Sequence, residues 1–207
     1  MLTFYDRAFQ LVICTSLLTL FSVAGAVSTL AQPTVDGDLS DADYQTVATE
    51  QNSNSGFGSA IDATEIVYFA DDDNSTLYVG VKGQLDVSNS NGIGLMLNFQ
   101  ALSGTSAGTD LATSGGGHYT SSTVRADFEV DYMFAMNPGS GSSNVFYDGV
   151  ERVGGSSTQF LGSSDQSGTS TTNENSDFFD TGSVTLAFNN GGGADQGFEM
   201  SIPYAQL

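Results

Sequence analysis

The 207-residue chain is strongly acidic, with 24 acidic residues against 4 basic ones and a formal net charge of −20. This balance excludes nucleic acids and anionic lipids as partners, because binding them requires clustered Lys or Arg. Hydrophobic residues make up 39% of the chain, which is enough for a packed core. With a single His and a single Cys, the chemistry that remains is that of carboxylates, hydroxyls, amides and aromatic rings. These groups bind sugars and calcium.

The N-terminal segment is typical of an export signal. Arg7 precedes an apolar run over residues 8–27, and the small-x-small pattern that ends at Ala31 predicts cleavage after that residue. A second possible cleavage follows Ala26. The run is too short and too rich in Ser and Thr for a membrane span. We therefore predict a cleaved signal peptide over residues 1–31 and a secreted or cell-surface protein without membrane insertion.

The pattern of residues 32–207 predicts a single all-β domain. Runs of β-branched and aromatic residues between polar turns favour strands, and many short strands with Gly-rich turns favour an antiparallel, jelly-roll-like β-sandwich. The predicted strands cover residues 65–70, 77–82, 93–99, 127–134, 145–153, 183–188 and 198–202. A short helix over residues 40–50 is the only helical element that the pattern allows. Long loops rich in Ser, Thr and Gly are predicted over residues 102–123, 137–144 and 154–177.

Three segments of this domain resemble family 9 carbohydrate-binding modules and the related DOMON-like sandwiches. Residues 35–44 read V-D-G-D-L-S-D-A-D-Y, like the opening motif of that family. Residues 66–81 are similar to its hairpin with an acidic turn, and residues 197–204 are similar to its G-F-E-x-x-I-P-Y strand. The resemblance implies a secreted, non-catalytic β-sandwich that attaches to polysaccharide. A similar pattern occurs in Bacteroidetes-type surface proteins that carry a C-terminal sorting signal.

Two departures from the family pattern change these expectations. Family members clamp a sugar between Trp rings, whereas this chain has no Trp. Tyr119, Phe160 and Phe178 are the loop aromatics that we expect to stack on a sugar instead, and anchoring of the long loops onto the sandwich is the alternative role of all three. The family also has a further strand after the Ile-Pro motif, so we expect the domain to be truncated at Leu207.

The opening motif contains four carboxylates within one stretch of eight residues, at Asp36, Asp38, Asp41 and Asp43. Calcium binds hard oxygen ligands and favours loops with clustered Asp residues. The sequence therefore predicts a calcium site here, with ordinary turn formation as the alternative. A second acidic run, residues 71–73, is typical of a hairpin turn, because Asp and Asn tolerate turn dihedrals.

Two other functions remain as alternatives to glycan binding. Asp127, Glu129 and Asp131 alternate along the predicted strand 127–134 and would project from one face. The E-V-D triplet within it resembles the catalytic strand of laminarinase-like glycoside hydrolases. The second Glu of that strand is absent, so the protein is expected not to be an enzyme. The other alternative is a structural or adhesive cell-surface protein that self-associates.

Overall fold

The computed structural model describes residues 31–41, 43–50, 61–86, 92–111, 125–138 and 143–207. Within these ranges the chain forms ten strands in two sheets, and every strand pairing is antiparallel. Gln32–Leu207 make one compact unit. The predicted all-β sandwich is confirmed.

The strands follow one another along the chain with a single helical turn after the last. They are β1 (Gln45–Thr49), β2 (Ile61–Asp71), β3 (Thr76–Leu85), β4 (Ile93–Leu97), β5 (Tyr132–Pro138), β6 (Val145–Glu151), β7 (Ser157–Ser164), β8 (Thr171–Thr172), β9 (Thr185–Phe188) and β10 (Gly197–Pro203). A 3-10 turn covers Tyr204–Gln206. The six-stranded sheet has the order β1-β2-β3-β10-β9-β8, and the four-stranded sheet has the order β4-β5-β6-β7.

The main core lies between the two sheets and is built from the inward faces of both. Tyr132 and Phe134 of β5 stack on Phe179, with ring centroids 5.7 and 6.0 Å apart. Phe179, Phe188 and Met200 have no exposed surface. Each side chain of this size stabilises the fold by about 1.5–3 kcal/mol when it is fully buried. The core therefore holds the two sheets at a fixed spacing.

The N-terminal segment, defined here as residues 32–41 and 43–44, covers the outer face of the six-stranded sheet. Leu39 lies on Gly80 of β3, where an added Cβ would come within 2.4 Å of Leu39 Cδ2. Tyr44 packs edge-on against Phe69 of β2, with ring centroids 6.5 Å apart. Outward-facing side chains of β2 and β3 are buried for this reason. The opening motif is therefore an integral layer of the fold.

Residues 45–49 form strand β1, so the prediction of a short helix over residues 40–50 is wrong there. Thr46, Val47 and Thr49 are β-branched and lose side-chain freedom in a helix. β1 pairs with β2 and has an irregular register after Thr46. The local sequence pattern of this segment allows either a short helix or a strand, and pairing with β2 therefore makes it a strand.

Strand β5 begins at Tyr132, later than the predicted strand over residues 127–134. Phe128 is 41% exposed and Asp131 has no exposed surface, so the predicted alternation is wrong at these two positions, whereas Val130, Tyr132 and Phe134 are buried as predicted. Val130 makes an isolated bridge to the loop that follows β4. The loop takes the place of a neighbouring strand, so the regular ladder starts only at Tyr132.

The predicted loop over residues 154–177 contains strands β7 and β8. β7 reads S-T-Q-F-L-G-S-S, and it contributes Leu161 to the core. Its many polar residues are more typical of a loop than of a strand, so the sequence pattern did not predict it. Gly162 has a φ of 114° at the point where the β6–β7 register shifts. A glycine is required there because other residues rarely adopt that conformation.

Candidate ligand-binding surface

The outer face of the four-stranded sheet carries two neighbouring aromatic rings. Cross-strand pairing aligns Gly94, Ala135, Asp148 and Phe160 in one row across β4, β5, β6 and β7. Phe146 lies in the adjacent row, and its ring centroid is 6.5 Å from that of Phe160. Phe160 is 39% exposed. This part of the face, called the aromatic patch, consists of Phe146, Phe160 and Asp148.

Polar groups border the aromatic patch. Asn137 of β5 pairs with Phe146 across the sheet, and its amide Nδ2 lies 3.5 Å from Asp148 Oδ2. Asn137 is only 5% exposed, and its Oδ1 has no hydrogen-bond partner among the described residues. Apolar rings beside carboxylate and amide groups are the combination that recognises a sugar, whose ring has apolar faces and hydroxyl edges.

The other half of the same outer face is covered. Met133 and Val150 pack under Leu111 and Val130, which belong to the segments between β4 and β5. All four side chains are buried. Phe160 of the same face is 39% exposed and is not part of this covered cluster.

Of the aromatics predicted to bind sugar, Phe160 lies on this patch. Tyr119 lies outside the described residues. Phe178 is half-buried and packs on Phe179 and Tyr132, with ring centroids 4.7 and 6.3 Å apart. Its contacts are those of the alternative role, in which it anchors a loop onto the sandwich.

The four Asp residues predicted to bind calcium make contacts within their own segment. Asp36 Oδ1 accepts a hydrogen bond from the amide of Asp38, and Asp41 Oδ2 accepts one from the amide of Thr34. Asp38 Oδ1 accepts from the amide and hydroxyl of the serine two residues later. Asp43 is exposed. These are turn contacts, and no group of three metal-ligating side chains converges within the described ranges. These contacts are those of the alternative, ordinary turn formation, and calcium binding stays a prediction.

The hairpin between β2 and β3 has the contacts of a closed turn. Asp71 is 7% exposed, and its two carboxylate oxygens accept hydrogen bonds from the amide and the side chain of Asn74, at 3.0 and 2.8 Å. Ser75 has a φ of 53°. These contacts are those of the turn that the acidic run predicts.

The acidic residues that the hydrolase alternative requires do not share an exposed strand face. Asp127 is exposed, Glu129 is half-buried, and all three positions precede β5. Asp131 is fully buried, and its Oδ2 accepts a hydrogen bond from the amide of Phe99 at 2.5 Å. An added Cβ on Gly104 would lie 2.4 Å from Asp131 Oδ1. Asp131 therefore fastens the loop after β4 instead of facing a substrate.

A buried carboxylate that the sequence reading did not single out joins the N-terminal segment to β10. Glu199 has no exposed surface, and its Oε2 accepts hydrogen bonds from the backbone amides of Asp36 and Gly37 at 3.0 and 2.9 Å. The hydroxyl of Tyr44 donates to Glu199 Oε1. We call these four residues the clasp. The sequence feature that could have indicated the burial of Glu199 is its position as a charged residue on a predicted strand whose other residues are mostly apolar.

Burial sets the protonation of the clasp. Removal from water raises the pKa of Glu199 to about 7, although the hydrogen bonds from Tyr44, Asp36 and Gly37 act in the opposite direction. Burial, together with the nearby Glu199 carboxylate, also raises the pKa of Tyr44 well above its usual range. Tyr44 therefore stays a hydrogen-bond donor across the physiological range, while Glu199 titrates within it.

Comparisons with known proteins leave the family open, since no family model, curated protein or solved structure matches this chain. The resemblance to family 9 modules, carried by residues 35–44, 66–81 and 197–204, stays a prediction. Nowhere in the described ranges is there a helix with the length and hydropathy to cross a membrane.

Proposed function

We propose that residues 32–207 form a secreted, non-catalytic module that binds uncharged glycans on the aromatic patch. The observation that carries the proposal is the exposed ring of Phe160 beside Phe146 and Asp148 on the outer face of the four-stranded sheet. A pyranose ring stacks on an aromatic face through its apolar C–H groups, while its hydroxyls donate to carboxylate oxygens.

The charge of the protein restricts the glycan class. A formal net charge of −20 with only 4 basic residues repels carboxylated and sulfated polysaccharides. A neutral glycan meets no such repulsion, and the carboxylate of Asp148 is a suitable acceptor for its hydroxyl groups. The proposed ligand class is therefore a neutral polysaccharide exposed outside the cell.

Retention on insoluble polysaccharides tests this function. The purified domain is incubated with cellulose, chitin and β-1,3-glucan particles, and with an alginate gel as the acidic comparison. We expect retention on at least one neutral polymer and none on alginate. Because a stacked ring contributes about 1 kcal/mol beyond its buried area, Phe160→Ala should weaken that retention about tenfold or more.

The matched control is Val47→Ala, since Val47 is 62% exposed on the other sheet, far from the aromatic patch in the pairing order. It should leave retention unchanged. A parallel incubation with a chelator shows whether calcium takes part. If no neutral polymer retains the protein, or if Phe160→Ala and Val47→Ala behave alike, the proposed function is wrong.

The second candidate function is a structural or adhesive role at the cell surface. The observation that favours it is the composition of the terminal strands β1 and β4, neither of which contains a charged residue. All five residues of β1 are exposed. Uncharged edge strands are the parts of a sheet that pair most readily with another chain.

A further inference from the structure

A cleft opens between the two sheets at the side where β1 and β4 are the terminal strands. Its volume is about 220 Å³, while one water molecule takes up roughly 30 Å³ in the liquid, so several small groups fit inside. We call it the edge cleft. It is lined by Glu50 and by residues of β1, β2, β3 and β4, among them Ala48, Ile66, Val81, Ile93 and Leu95.

The four-stranded sheet stops at the edge cleft, while the six-stranded sheet extends over it. In the described part of the chain β4 pairs only with β5, whereas β2 and β1 lie beyond β3 in the opposite sheet. The cleft lining is mostly apolar, with Ile66 and Val81 above and Ile93 and Leu95 below. The geometry matches the place of one additional strand beside β4.

We propose that the edge cleft takes an extended segment of a partner protein, which adds a strand antiparallel to β4. The outer main-chain groups of β4 would bond the incoming strand, as in other cases of strand addition. Alternate side chains of that strand point between the sheets, where the apolar lining of Ile66 and Leu95 accepts small apolar groups such as those of Ala and Val. The remaining side chains point to solvent.

Charge identifies the partner. Glu50 lines the cleft and is exposed, so it lies at the mouth, and none of the described lining residues is basic. The mouth therefore carries an acidic group without a basic one beside it in the lining. A second copy of this chain, itself at −20, is repelled. A segment whose apolar residues are flanked by Lys or Arg complements the mouth.

The test uses two synthetic peptides with the same extended core, Thr-Val-Ser-Val-Thr, one flanked by Lys at both ends and one flanked by Glu. Isothermal titration with residues 32–207 measures both affinities. We expect the Lys-flanked peptide to bind at least tenfold more tightly than the Glu-flanked one, and its affinity to fall as salt is added. Equal binding of the two peptides, or binding of neither, overturns the proposal.

Two variants locate the site. Ala48→Phe fills the cleft from β1, and it should weaken binding of the Lys-flanked peptide at least tenfold. Ala70→Phe adds the same ring to an exposed position of β2 outside the cleft lining, and it should leave binding unchanged. Equal affinities of the two variants, with unchanged melting temperatures, would contradict the site. Self-association of the unaltered protein that Ala48→Phe abolishes would contradict the partner, because a second copy would then be the occupant.

Discussion

The hydroxyl of Tyr44 donates a hydrogen bond to the buried carboxylate of Glu199. This contact joins the opening motif of the domain to a central strand of the six-stranded sheet, since β10 lies between β3 and β9. With the backbone amides of Asp36 and Gly37 also bound to Glu199, the clasp holds the N-terminal segment on the sheet. Two of the segments that resemble family 9 modules thus meet at one carboxylate.

The clasp makes stability depend on pH. The pKa of Glu199 is raised from 4.5 to about 7 in the folded state, so folding favours the protonated form. The associated stability is fully present below pH 4.5 and is lost as the pH rises through 7. A shift of this size corresponds to about 3 kcal/mol at most. Denaturant unfolding of the domain at several pH values between 4 and 8 measures the loss.

The matched variant for this measurement is Glu199→Gln, which keeps the size of the side chain and removes its titration. Its free energy of unfolding should change less between pH 4 and 8 than that of the unaltered protein. Subtracting the two curves removes the contributions of the other carboxylates. Parallel curves would show that Glu199 does not titrate in this range.

The contact of Leu39 with Gly80 predicts a pair of compensating substitutions. Gly80→Ala places a methyl group within 2.4 Å of Leu39 Cδ2, which should cost about 1–3 kcal/mol through overpacking. Leu39→Ala alone should cost about 2–5 kcal/mol because it leaves a cavity. In the double variant the methyl group enters that cavity, so the combined cost should be smaller than the sum of the two. Additive costs in denaturant unfolding would contradict the contact.

Phe178 and Phe160 should respond differently to truncation. Phe178→Ala removes ring contacts to Tyr132 and Phe179, so it should lower the free energy of unfolding by about 3 kcal/mol and leave glycan retention by the folded protein intact. Phe160→Ala should do the reverse, with a melting temperature close to that of the unaltered protein and weaker retention. Loss of retention in a stably folded Phe178→Ala variant would place Phe178 in the binding surface.

Calcium and simple screening of charge predict different ion responses. If residues 36–43 held calcium, submillimolar calcium would raise the melting temperature, and Asp38→Asn would abolish the effect. Because Asp36, Asp38 and Asp41 already accept hydrogen bonds from their own segment, we expect screening instead. Sodium and magnesium salts should then also raise the melting temperature, by reducing repulsion within a chain of net charge −20. A calcium-specific rise would overturn this expectation.

Much of the sandwich is predictable because its strands carry local signals. β2, β3 and β10 combine β-branched and aromatic residues with clear turns, and their predicted ranges lie inside the observed ones. β7 escaped prediction because six of its eight residues are polar or Gly, and only its pairing with β6 makes it a strand. β1 escaped because its residues suit either a short helix or an edge strand.

The candidate site was predictable only in part, because a sheet surface is defined by register. Phe160 was predicted as a stacking residue, but its proximity to Phe146 and Asp148 depends on how β6 and β7 align. A shift of one residue would send Phe160 to the opposite face. The burial of Asp131 depends on a loop contact with Phe99, for which the sequence has no local signal.

The clasp also sets an order of events during biosynthesis. Its hydrogen bonds join positions separated by 162 and 163 residues, and β10 occupies the interior of its sheet although it is the last strand in the chain order. While a ribosome is still translating the residues before β10, β3 has no neighbour on that side and the opening motif has no carboxylate to bind. The domain therefore completes its fold only after synthesis has passed residue 203.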